Sequence, residues 1–256
     1  MLSRYYQIRY GLSEKHFLEF DNLNAENPSI PRILFTHGNY VRDYTKNWES
    51  KKDFYNKKVI LLVRDPRDVA VSQYFQWKFR MRTAKKFLND YPAHGEDVSV
   101  SEFVMNRDAG LRRIVDFLNG WAREIPRIRD ILVIRYEDMR TDPEGVLKKA
   151  VDFLGTPGSE AQVKEAVAFA AYENMKKLEE KEAFASSGRR LVPGDRKNPD
   201  SFKVRRAKVG GYRDYFDDDQ ITEIDRFVRE SLSPIFEYQA DGHVPDVAKP
   251  VQAAGA

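Results

Sequence analysis

Apolar residues along this chain fall into two rhythms. Short unbroken runs rich in β-branched residues, Val59 to Val63 and Ile131 to Ile134, are too short for helices and have the composition of strands covered on both faces of a parallel sheet. Ile33-Leu34-Phe35 is another such run, ending in the polar turn Thr36-His37-Gly38. Elsewhere the spacing is helical, as in the apolar and aromatic positions of Met1 to Tyr10. The predicted order is helix 1–10, strand 32–36, strand 58–63, helix 66–82, helices near 100–125, strand 131–135, helix 142–154, helices near 159–182, a loop over 185–216 and helix 218–232. Strands alternating with helices define an α/β fold with a parallel sheet.

Punctuation sharpens these boundaries. Pro66 suits the first turn of a helix, Asp142-Pro143 is a cap and first-turn pair, and Asp217 to Asp219 put negative charge where a helix dipole favours it. A polar turn is expected between the strand 131–135 and Asp142.

Candidate chemistry sits where the apolar runs end. The run 59–63 stops abruptly in Arg64-Asp65-Pro66-Arg67-Asp68. A strand passing straight into a helix puts Arg64 at the carboxyl end of the sheet, where open α/β folds bind ligands and helix-start N–H groups favour anions. Ser72, eight residues on, adds a hydroxyl donor. Taken alone, the segment also fits an ordinary helix start with a solvated charge run. His37 occupies a comparable strand end, and an imidazole there can take a proton from an attacking hydroxyl, although a single histidine is more often structural. His16, His94 and His243 lack that setting. Tyr136 closes the strand 131–135 and either hydrogen-bonds a ligand or caps the sheet edge. In Arg205-Arg206-Ala207-Lys208-Val209-Gly210-Gly211-Tyr212, two arginines offer fixed donor forks to a phosphate and Gly210 offers an unhindered N–H. A basic, glycine-containing loop also fits nucleic-acid contact.

Taken in order, these segments resemble the sulfotransferases that use 3′-phosphoadenosine 5′-phosphosulfate (PAPS). The resemblance implies that Arg64 and Ser72 hold the 3′-phosphate, that His37 is the catalytic histidine, and that Tyr136 lies near the nucleotide. Ala170-Ala171-Tyr172-Glu173-Asn174-Met175 matches a stretch whose aromatic, here Tyr172, contacts adenine. Arg205, Arg206 and Gly210 match the family's late loop over the 3′-phosphate. Ala207, Gly211 and Tyr212 stand where the family pattern has glycine, aspartate and tryptophan. The implied fold is a P-loop-type three-layer α/β fold with a central parallel sheet flanked by helices. The implied donor is PAPS, the product is adenosine 3′,5′-bisphosphate, and no metal is called for.

The family opens with a strand and a Lys-Ser-Gly-Thr-Thr-Trp-like loop around the 5′-phosphosulfate, and no such motif occurs here. Residues 1–37 fit the interval between that loop and the strand carrying the histidine, so the chain is expected to begin just after the loop, with the first strand absent. Sulfuryl transfer, like phosphoryl transfer, relies on positioning and on cations at the leaving group. Losing one such donor costs about a hundredfold or more, so the 256 residues by themselves are expected to be impaired. Two other readings stay open: a non-catalytic 3′,5′-bisphosphate-binding protein, and a kinase relative, which would need a phosphate loop and a magnesium-binding carboxylate.

Composition narrows the partners. The 256 residues are enough for one large domain, here 1–240, followed by a small, polar, proline-bearing tail over 241–256. The 43 basic residues are nearly offset by 40 acidic ones, which argues against a broad nucleic-acid surface. No stretch approaches the roughly 18 apolar residues of a membrane span, and zero cysteines fit a reducing cytoplasm. The acceptor is expected to be a hydroxyl, or else an amine, on a small molecule, lipid or glycan. Tyr74, Phe75, Trp77 and Phe79 either line its pocket or pack in the core. The segment 188–199 lacks apolar periodicity and is expected to move as a lid.

Overall fold

The computed structural model describes residues 1–14, 20–37, 50–185 and 191–239. In chain order the elements are α1 (Leu2–Tyr10), α2 (Phe20–Glu26), β1 (Lys58–Val63), α3 (Pro66–Phe79), α4 (Thr83–Leu88), α5 (Val100–Met105), α6 (Leu111–Glu124), β2 (Asp130–Arg135), α7 (Tyr136–Thr141), α8 (Pro143–Phe153), α9 (Glu160–Phe169), α10 (Tyr172–Glu180) and α11 (Asp218–Ser231). The expected tail, 241–256, lies outside the described residues.

Local chemistry explains five of the eleven helix starts among the described residues. The Asp65 side chain accepts from Arg67 N at 2.9 Å while Pro66 opens α3. Asp142 does the same for Gly145 N at 2.8 Å. Reciprocal capping boxes open α5 with Ser99 and Glu102, α9 with Ser159 and Gln162, and α11 with Asp217 and Gln220.

Strands β1 and β2 pair in parallel from Lys58↔Asp130 to Val63↔Arg135. One face of β1, with Val59, Leu61 and Val63, packs on Val71 and Trp77 of α3, Leu118 and Trp121 of α6, and Ile224 and Val228 of α11. The other face, with Ile60, Leu132 and Ile134, packs on Val146 and Ala150 of α8. Helices therefore lie on both faces of a parallel sheet, giving a three-layer α/β arrangement, but the expected full cover is incomplete: Leu62 is 58% and Val133 38% exposed. A further cluster joins Tyr5 and Tyr6 of α1 to Val151 and Val163, and both phenols reach Thr156, one through its carbonyl at 2.6 Å and one through its hydroxyl at 2.9 Å.

Several expectations need correction. The segment 32–36 is not a strand; it is irregular, with Leu34 76% and Phe35 56% exposed. Among the described residues the sheet has two strands, and neither runs beside this segment. A strand needs a partner ladder, and propensity alone does not supply one. The polar turn expected after β2 is the helix α7, which starts at Tyr136 and ends at Thr141. Helix α3 stops at Phe79 rather than residue 82. Of the four aromatics on α3, Tyr74, Phe75 and Trp77 are buried in the main core. Two short helices, α2 and α4, fall where none was expected.

Candidate functional site

The parallel register carries the chain past Val63 and Arg135 in step, so Arg64 and Tyr136 emerge side by side. The Arg64 guanidinium carbon lies 4.3 Å from the Tyr136 ring centroid. Its Nη2 donates to Asp68 Oδ2 at 3.1 Å and to the Lys208 carbonyl at 3.0 Å. The Nε of Arg64 is buried and has no hydrogen-bond partner among the described residues. A buried guanidinium N–H left unpaired carries a desolvation cost, one that the Nε of Arg4, Arg9 and Arg135 shares.

Asp68 is the hub of the site. It is 3% exposed. Besides Arg64 it accepts from Gly210 N at 3.0 Å and Tyr212 N at 2.9 Å. Burial pushes its carboxyl above the usual carboxylate range, and the neighbouring Arg64 opposes that rise. The carboxylate thus ties the start of α3 to the loop bearing Arg205 and Arg206. Gly210 adopts a left-handed conformation, φ 68°, where the chain turns toward Asp68.

Ser72 follows Asp68 by one helical turn and precedes Phe75 by another, so the three share a face of α3. Ser72 is exposed there. The Arg205 guanidinium carbon stacks 3.6 Å from the Phe75 centroid, and Tyr172 donates its hydroxyl to the Arg205 carbonyl at 3.0 Å. Arg205 also contacts the Tyr215 hydroxyl, and Arg206 pairs with Asp214. Lys208 Nζ reaches both Asp214 oxygens at 2.8 Å; together with Arg206 it holds that carboxyl below its ordinary range. Tyr212 is buried; its hydroxyl donates to Asp225 at 2.6 Å, which fixes the turn 211–215 to α11. Burial pushes the Tyr212 phenol up.

Arg64 and Gly210 meet at Asp68 beside Tyr136 at the carboxyl end of the sheet. Ser72 lies on the α3 face between Asp68 and Phe75, and Tyr172, Arg205 and Arg206 meet around Phe75 and Tyr215 further along α3. A cavity of about 470 Å³ opens beside them, lined by Lys176, Arg196, Phe202, Arg205, Arg206 and Tyr215. His37 stands apart. It is exposed, its ring edge-to-face on Phe35 at 5.3 Å, and none of the described contacts of the Arg64 cluster includes it.

The segment expected to move as a lid is tethered where it is described. Arg80 Nη1 donates to the carbonyls of Val192 at 3.1 Å and Ser201 at 2.8 Å, while Gly194 packs so close to the Phe79 carbonyl that a Cβ would lie 2.4 Å from its oxygen. Residues 186–190 lie outside the described part. Sequence reasoning missed Asp68, although its spacing of four from Arg64 on a helix start was a usable signal.

The arrangement defines an α/β protein that collects guanidinium groups and a helix N-terminus at the carboxyl end of a parallel sheet, a setting for a phosphorylated ligand. The family model for the sulfotransferase domain matches residues 7–236, and the chain belongs to that family. It is 28% identical to flavonol 4′-sulfotransferase of Flaveria chlorifolia over 70% of this chain and 53% of that protein. It is 25% identical to sulfotransferase 2A2 of Mus musculus over 81% of this chain and 66% of that protein. The chain thus spans between about half and two thirds of the length of these relatives. The crystal structure of mouse sulfotransferase SULT7A1 complexed with PAP superposes with a TM-score of 0.51 at 22% identity, covering 68% of this chain and 58% of that one. The likeness supports the same α/β fold. Among the described residues no helix is long and apolar enough to cross a membrane. No group of three or more His, Cys, Asp or Glu among them is placed to hold a metal ion.

Proposed function

We propose that this protein is a PAPS-dependent sulfotransferase whose described cluster grips the 3′-phosphate of the nucleotide. One observation carries the reading: Arg64, held by Asp68 and stacked on Tyr136, keeps a buried Nε without a partner at the carboxyl end of the sheet. A phosphate oxygen is the acceptor that would satisfy it, and Ser72 and Arg205 belong to the same α3 face, Arg205 through its stacking on Phe75. The Gly210 N–H, expected to be open to a phosphate, is instead taken by Asp68. Arg206 would exchange Asp214 for the phosphate. Tyr136 and Tyr172 would border the nucleoside.

In the reaction, an acceptor hydroxyl oxygen attacks sulfur as the bond to the 5′-phosphate oxygen breaks, and the leaving bisphosphate keeps that electron pair. His37 would receive the hydroxyl proton. The names of the relatives, flavonol 4′-sulfotransferase among them, support a small-molecule hydroxyl as acceptor. Because the sequence has no match to the family's 5′-phosphosulfate loop, these 256 residues by themselves are proposed to bind the bisphosphate product more readily than they transfer sulfate.

Calorimetric titration with adenosine 3′,5′-bisphosphate tests the reading. Binding that weakens about tenfold or more in Arg64→Ala supports it, since a charge-assisted pair to phosphate is worth roughly 1.5–3 kcal/mol. Absence of binding by the unaltered chain would overturn it.

A further inference from the structure

Glu179, in the last turn of α10, has no exposed surface. Its carboxylate does not line the cavity, yet both oxygens are committed. Oε1 accepts from Lys203 N and Oε2 from Val204 N, each at 2.7 Å. Two successive backbone N–H groups converging on one anion form a nest, and here the anion is the protein's own side chain.

Arg80, the residue that follows α3, supplies the countercharge. Its Nη1 lies 3.4 Å from Glu179 Oε1, and the same nitrogen holds the carbonyls of Val192 and Ser201 at 3.1 and 2.8 Å. At the other end of α10, Tyr172 holds the Arg205 carbonyl at 3.0 Å. One helix thereby fixes residues 203, 204 and 205 in succession, immediately before the side chains of Arg205 and Arg206 depart. Burying a carboxylate is costly unless it is paired and hydrogen-bonded, and an apolar residue would fill the same space at lower cost. What the charge adds is direction, because the two N–H bonds set the orientation of the peptides at 203 and 204.

We infer that Glu179, backed by Arg80, is a positioning residue that aims the Arg205–Arg206 arm at the 3′-phosphate. The inference rests on the nucleotide reading given above. On the opposite side of the arm Asp68 holds Gly210 and Tyr212, so the arm is fixed at both ends and only residues 205–209 are left to meet a ligand.

The test compares adenosine 3′,5′-bisphosphate with adenosine 5′-monophosphate by calorimetry, using the full chain, Glu179→Gln, Arg205→Ala and the double variant. Glutamine keeps one accepting oxygen and loses the other, so the nest loosens without leaving a cavity. The expected result is about a tenfold loss of bisphosphate affinity in Glu179→Gln, within the usual range of coupling between linked groups. Monophosphate affinity changes by less than about twofold, and the double variant binds the bisphosphate no more weakly than Arg205→Ala. Equal losses for both nucleotides, or additive losses in the double variant, would overturn the inference. If Glu179→Gln does not fold, Arg80→Lys carries the same expectation, since it keeps the charge and loses the geometry that reaches Val192 and Ser201. An unaltered chain that binds neither nucleotide would instead overturn the proposed function, and this inference with it.

Discussion

The Arg64 guanidinium sits over the Tyr136 ring with its central carbon 4.3 Å from the ring centroid. That contact follows from sheet register, because Val63 pairs with Arg135 and each strand then delivers its next residue to the same place. The ring, more than the phenol oxygen, holds the arginine. Tyr136→Phe should therefore bind adenosine 3′,5′-bisphosphate within about twofold of the unaltered chain, whereas Tyr136→Leu should lose roughly fivefold, the equivalent of about 1 kcal/mol of cation–π attraction. Equal losses in both would assign the effect to the hydroxyl.

Asp68→Asn should cost about 2–4 kcal/mol in urea unfolding. The carboxylate accepts from Arg64, Gly210 N and Tyr212 N. An asparagine has one accepting oxygen, so buried donors are left unpaired at roughly 1–3 kcal/mol each. Bisphosphate affinity should fall as well, because Arg64 and the loop lose their common anchor. A loss of less than about 1 kcal/mol would mean that the loop is held elsewhere.

Ala207 sits at φ 51°, a left-handed conformation that glycine adopts freely. An alanine there costs roughly 1–2 kcal/mol, and glycine gives back part of the gain by loosening the unfolded chain. Ala207→Gly should raise stability by about 0.5 kcal/mol net, read as a shift in the urea midpoint at constant slope. A lowered midpoint would contradict the left-handed turn.

Lys51 gives a pH signature. It is buried, with its ammonium 5.2 Å from the Phe117 centroid and 5.1 Å from that of Trp121. Burial pushes it down from 10.5 to about 8, against the attraction of Glu124. The folded chain releases this proton before the unfolded chain does, so between those two values the unfolded state holds more proton and stability rises with pH. Below about 8 both states are charged and the burial cost is present in full. The unaltered chain should gain about 2 kcal/mol on Lys51→Met between roughly pH 8 and 10. The comparison with the variant cancels the tyrosines. Tyr6, pushed up by burial to about 12, works in the opposite direction above pH 10. A constant difference across that range would show that the amine keeps its ordinary proton affinity.

Much of the site's chemistry was legible in order along the chain. The run from Val59 to Val63 ending at Arg64, the Asp65-Pro66 helix start and the Asp217 cap all depend on residues within about four positions of one another, and the structure bears out each of these elements. Arg205, Arg206 and Gly210 were legible as a basic, glycine-containing loop, though not the contacts from Tyr172, Glu179 and Asp68 that hold it.

What the sequence determined by itself is the set of local devices: apolar runs that must be covered, caps that satisfy the first N–H groups of a helix, and basic side chains at strand and loop ends. These are fixed by bonds between near neighbours. What only the tertiary structure decided is which of them meet. The segment 32–36 has a strand's composition, yet no ladder forms beside it among the described residues, so Leu34 and Phe35 lie exposed. Asp68 reads as one acid in a charge run, yet it becomes the hub because its donors at Gly210 and Tyr212 come from 142 and 144 residues away. Glu179 reads as a solvated helix residue and is instead enclosed, because Arg80, 99 positions earlier, and the amides of Lys203 and Val204 close around it. A buried charge is tolerable only when distant partners converge on it, and that convergence is a property of packing rather than of local sequence.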